Sequence, residues 1–142
     1  MKQGQAESIR RRYKAFEQAR EVFDPKRFMR GGGYTPTDYS QIAKMAGVRK
    51  PTNEEMGKLE VYDFLHNLPE KLFAYYSSDM KHITTWMGDV LGTITHVGRE
   101  RQPMGGRVVS VRVNAINGLS YVGQCNLSSG SYCRLRRSTG RK

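Results

Sequence analysis

The sequence predicts an α+β protein: a helical N-terminal half of three or four helices, followed by a small antiparallel curled sheet or barrel. Three observations carry this. Apolar residues recur at helical spacing through roughly the first 80 residues. From residue 81 onward, β-branched and aromatic residues with spaced glycines dominate, which is strand composition. Within that half, Asn117-Gly118 interrupts the run "GRVVSVRVNAINGLSYVGQC", and Asn-Gly between apolar runs is the strongest short hairpin signal. The chain divides accordingly into a helical region, 1–80, and a β module, 81–142.

Residues 5–23 read as one amphipathic helix, with Ile9, Tyr13, Phe16 and Phe23 on the apolar side. Arg10, Arg11, Arg12, Lys14 and Arg20 take the rest of its circumference, and Asp24-Pro25 stops it. The run "RGGGYTPT" reads as a joint. A phosphate-cradling loop would need Gly-Lys-Ser/Thr after a strand, whereas Gly33 is followed by Tyr34. Residues 37–47 form a short helix, capped at its start by Thr37 or Asp38 and at its end by Gly47. Thr52 with Glu55 three residues on is a capping box that opens the next helix. Pro69 opens a further helical segment, "PEKLFAYYSSD", as a first-turn proline would.

In the β half, Gly88, Gly92 and Gly98 punctuate "HITTWMGDVLGTITHVG", and Ser128-Ser129-Gly130 fits a three-residue hairpin loop. Four or five short strands over 83–137 at this chain length predict an SH3-like or OB-like barrel.

The hairpin register yields a candidate binding face. A two-residue turn at Asn117-Gly118 pairs Val113 with Val122 and Asn114 with Tyr121. Val109, Val111, Val113 and Val122 then form the core side, and Tyr121 points out. The next hairpin pairs Cys125 with Cys133. To keep Arg134 and Arg136 out of the core, one extra residue is needed in the middle strand, and Gly123 is the candidate bulge. Tyr121, Tyr132, Arg112, Arg134 and Arg136 then share an outward surface. It is flanked by Arg99, Arg101 and Arg107 of the loop before the hairpin and by the basic tail "RRSTGRK", which includes Arg137.

That constellation points to nucleic acid. Arginine forks match phosphate oxygens and stack on bases, and tyrosines on an open sheet are stacking platforms. The net charge of +11 agrees. Its distribution is uneven: 12 basic against 5 acidic residues in 1–50, 2 against 6 in 51–80, and 10 against 2 in 81–142. Arg10, Arg11 and Arg12 add a second basic element that could track phosphates.

Within 38–60, Ile42-Ala43 followed by Ala46-Gly47-Val48 resembles the first helix and turn of a helix-turn-helix. The second helix departs from that pattern. Asn53 stands where an apolar residue belongs, and Glu54 and Glu55 would face the DNA backbone.

No catalytic constellation emerges. His66, His82 and His96 lack metal-ligand spacing with one another, with Cys or with an acid. Glu60, Asp63 and His66 read as solvated helix-surface groups. Cys125 and Cys133 read as reduced thiols in a cytoplasmic protein, and neither a cofactor nor a membrane span is implied. The sequence therefore predicts a non-enzymatic, cytoplasmic nucleic-acid-binding protein, for DNA or RNA. The alternative is a small accessory or inhibitor protein of a virus or mobile element, docking on a host protein or nucleoprotein complex through the acidic stretch or the sheet.

Overall fold

The computed structural model describes residues 3–23, 34–128 and 130–138. Asp24-Pro25, the glycine run 31–33, Ser129 and the tail 139–142 lie outside the described residues, so the expectations placed on them are not addressed. Four helices come first: α1 (Gln3–Arg12), α2 (Lys14–Phe23), α3 (Pro36–Ala46) and α4 (Asn53–Asn67). Six strands follow: β1 (Lys71–Tyr76), β2 (His82–Thr84), β3 (Val90–Val97), β4 (Val108–Ala115), β5 (Ser120–Asn126) and β6 (Tyr132–Arg137). They form a closed antiparallel barrel in chain order, with β1 paired to β6. None of the described helices is long and apolar enough to cross a membrane.

The expected helix over 5–23 is interrupted at Tyr13, although Tyr13 N–H still donates to Ile9 O and its carbonyl accepts from Glu17 N–H. Ile9, Tyr13 and Phe16 are buried against Tyr39, Ile42, Met56 and Leu59. Arg20, expected on the open circumference, is buried as well. The start of α3 lies one turn fraction earlier than expected. Thr35 is the cap, in a reciprocal box with Asp38, and Pro36 takes the first helical position. Gly47 ends the helix in the left-handed region, and the Thr52–Glu55 box opens α4 as anticipated.

The largest departure is at 69–78. Leu68 turns left-handed at φ 46°, Pro69 prevents continuation, and residues 71–76 form β1 instead of a helix. Leu72, Ala74 and Tyr76 alternate inward while Lys71, Phe73 and Tyr75 alternate outward. The barrel thus begins about ten residues earlier than its composition suggested.

Helix α4 joins the two halves. Met56 and Leu59 pack into the helical core, whereas Val61 and Phe64 enter the barrel core beside Leu72, Leu91, Val113 and Tyr121. Each large apolar side chain so buried contributes about 1.5–3 kcal/mol. One helix therefore serves both cores.

The β4–β5 hairpin differs from expectation by a single residue. Ala115 pairs with Leu119 through Ala115 N–H to Leu119 O at 2.9 Å, so Ile116, Asn117 and Gly118 form a three-residue connection. Gly118 sits at φ 89°, the left-handed position such a loop requires. Val113 consequently pairs with Tyr121, and Arg112 with Val122. A one-residue shift reverses every side chain of a strand. Tyr121 is therefore fully buried, its hydroxyl donating to Pro69 O at 2.6 Å.

No bulge occurs at Gly123. The β4–β5 register runs unbroken, and irregularities fall in the β2–β3 and β3–β4 pairings. Gly123 instead marks a close approach, since a Cβ there would lie 2.0 Å from Arg134 O. Cys125 does pair with Cys133 inside the barrel, but the two are joined as a disulfide and are not free thiols.

Candidate nucleic-acid interface

Because directly paired residues share a face, the strand registers define rows across the outside of the barrel. One row runs Lys71, Arg136, Val122, Arg112, His96. The next runs Phe73, Arg134, Gln124, Ser110. A third runs Tyr75, Tyr132, Asn126, Val108, Arg101. No acidic residue stands in any row. The coiled strands β3 to β6 hollow this face into a groove of about 760 Å³, lined among others by His96, Arg112, Gln124, Tyr132, Arg134 and Arg136.

Four of the anticipated residues, Arg112, Tyr132, Arg134 and Arg136, thus come together as lining of the groove, and a fifth, Arg101, ends the third row. The three groove arginines are exposed, and none has a side-chain hydrogen bond or ion pair among the described residues. Tyr121 does not belong to the face. Its place is taken by two aromatics of β1. Phe73 and Tyr75 each lie 5.7 Å from the Tyr132 ring, centroid to centroid. Partial burial pushes the Tyr132 phenol up, against the pull of Arg134, so it stays neutral.

A helix over 69–78 leaves Phe73 and Tyr75 without a sheet to stand on, so the sequence expectation omits them. The signal was present in "KLFAYY", a short run that is rich in aromatics and follows a proline, as strand composition allows. Lys71 and His96 were missed with them, since their contribution depends on strand pairing that no local pattern reveals.

The other anticipated cations have separate fates. Arg137 turns to the helix end, donating to Leu68 O at 3.0 Å and pairing with Glu70 at 3.4 Å. Arg107 grips Glu100 through two hydrogen bonds of 2.8 and 3.1 Å, which hold the Glu100 carboxyl below its ordinary range. Arg99 is exposed on the same loop, and Arg101, exposed as well, stands at the end of the third row. In α1, Arg10 pairs with Glu17 and lies over the Tyr62 ring, and Arg12 pairs with Glu55 at 2.8 Å. Of the triplet, Arg11 alone is exposed without an ion pair among the described residues.

The carboxylates expected on helix surfaces are buried. Asp63 pairs with Arg20 at 2.8 Å, and Glu60 accepts from Tyr34 N–H at 3.0 Å and Tyr39 O–H at 2.9 Å. Desolvation pushes Glu60 up to about 8. It also raises Asp63, against the attraction of Arg20. His66 remains exposed, its ring 4.4 Å from that of Tyr62. Glu55, which would have faced DNA in a helix-turn-helix, is occupied by its capping box and by Arg12.

No protein family, curated protein or solved structure matches this chain. Function must then be read from the chemistry of the site, since a barrel of this kind serves many roles.

Proposed function

We propose that the protein binds nucleic acid through the outer face of its barrel, as a binding protein and not as a catalyst. The observation that carries this is an acid-free surface on which Arg112, Arg134 and Arg136 stand without internal partners beside the Phe73, Tyr75 and Tyr132 rings. Three unneutralised guanidinium groups repel one another unless an external anion joins them, and a phosphate backbone supplies anions at regular spacing. The basic N-terminal helix contributes less than its composition suggests, because Arg10 and Arg12 already hold carboxylates of the helical half.

Titration of labelled single- and double-stranded DNA and RNA at two salt concentrations tests this reading. Affinity should fall steeply with salt, and Arg112→Ala, Arg134→Ala and Arg136→Ala should each weaken binding and reduce the salt slope by about one. Absence of oligonucleotide binding even at low salt would remove the proposal.

Docking of a protein through the acidic stretch has less support. Glu54 pairs with Lys58, Glu55 with Arg12 and Glu70 with Arg137, while Glu60 and Asp63 are buried. A partner presenting an acidic surface to the barrel face is the remaining alternative. It would be recognised by a complex that forms without oligonucleotide and is lost in the same arginine variants.

A further inference from the structure

The groove is chemically divided along the strands. Its Arg136–Arg112–His96 side is cationic, and its Tyr132 side is aromatic, with Phe73 and Tyr75 backing Tyr132. Arg134, Gln124 and Ser110 lie between. Successive rows are separated by two residues of strand, about 6.7 Å, so the cationic and aromatic sides stand about 13 Å apart. The division runs across four strands, so a ligand that uses both sides lies across them.

Resting on the nucleic-acid reading, we infer that the ligand is a single strand, in its DNA or RNA form. Its phosphates lie along Arg136 and Arg112 and its bases turn toward Tyr132, Tyr75 and Phe73. Two physical points support this. A ring can stack only on a base whose face is uncovered, and in a duplex both faces are covered by neighbouring pairs. The polar floor formed by Gln124 and Ser110 offers donors and acceptors to base edges that pairing would otherwise occupy.

The test compares the full chain on a single strand, in DNA and RNA versions, with the duplex of the same sequence. A single strand in which abasic sites replace three central nucleotides is the third ligand. Binding to single strands should exceed duplex binding by roughly tenfold or more, and the abasic strand should bind roughly tenfold more weakly while keeping the same salt slope. Tyr132→Ala should reproduce the abasic loss, and Tyr132→Phe should restore affinity to within about twofold, since stacking needs the ring and not the hydroxyl. The abasic ligand requires no variant, so the test survives if Tyr132→Ala fails to fold. Equal binding of duplex and single strand, or an abasic strand bound as tightly as the intact one, would overturn the inference while leaving salt-sensitive binding intact. Absence of binding to every oligonucleotide would instead remove the nucleic-acid reading on which it rests.

Discussion

The arginines of the helical half and those of the barrel face share one chemistry and meet opposite surroundings. Arg10, Arg12 and Arg20 each lie against a carboxylate of their own half: Glu17, Glu55 and Asp63. Arg112, Arg134 and Arg136 meet none. The difference is set by the supply of acids. Between residues 69 and 138 there are four, Glu70, Asp79, Asp89 and Glu100. Each is engaged away from the groove, with Arg137, with Ser77 and His82, with Thr85, and with Arg107 respectively. A basic triplet in sequence is therefore weaker grounds for a phosphate site than three arginines dispersed over two strands of an acid-free sheet.

The sharpest test of this contrast is Arg20→Ala. It leaves Asp63 buried without its partner and should cost about 3–5 kcal/mol of stability by urea titration. A loss under about 1 kcal/mol would place Arg20 in the same class as the exposed barrel arginines.

The helical half also carries a buried carboxylate that ties its stability to pH. Glu60 is held near 8 against an ordinary value of 4.5. Between those limits the folded protein keeps a proton that the unfolded chain has released, so stability falls as pH rises through the window and stays low above it. Asp63 shifts in the same direction. Glu60→Gln keeps the acceptor for Tyr34 and Tyr39 without the ionisation. It should stabilise the protein by about 1–3 kcal/mol near pH 9 and by much less near pH 5, read from melts at both values.

Supplying the barrel with the acid it lacks should have the converse effect. Gln124 is exposed directly opposite Arg134. Gln124→Glu should weaken oligonucleotide binding about tenfold, or about 1.4 kcal/mol, with the melting temperature unchanged. Tyr121→Phe distinguishes the hidden tyrosine from the displayed ones. Losing the bond to Pro69 O should cost about 1 kcal/mol of stability and leave oligonucleotide affinity as it was. The smallest effect belongs to Arg12→Ala, which removes an exposed pair. It should change stability by under about 0.5 kcal/mol and affinity by under about twofold, by the same two measurements.

Much of this architecture was legible from residue types. Capping at Thr52 and Gly47, the helical stripe of Ile9, Tyr13 and Phe16, and the Cys125–Cys133 register depend on short-range rules that the chain obeys. What failed depended on parity or on three-dimensional neighbours. Tyr121 and Tyr132 are the same residue on adjacent strands, and one additional loop residue at Ile116 sends the first inward. The Gly123 bulge was required only by that miscounted turn. In β1, the unbroken run Leu72-Phe73-Ala74-Tyr75-Tyr76 shows no alternation of polarity, so periodicity alone does not separate strand from helix there. Glu60 and Asp63 look like surface acids because nothing local announces that Arg20, Tyr34 and Tyr39 converge on them.

The groove also has a history in the folding reaction. Its aromatic rim is divided between β1 and β6, the first and last strands of the barrel, with Phe73 and Tyr75 beside Tyr132 across nearly sixty intervening positions. Closing so long a loop is entropically slow, and such pairings tend to form late. Fragments that stop before residue 132 carry all four helices and five of the strands, yet they lack Tyr132, at the centre of the aromatic rim, and two of the three groove arginines. If the proposed binding mode holds, ligand capture during synthesis coincides with sealing of the cylinder, and an unfinished chain has little hold on an oligonucleotide.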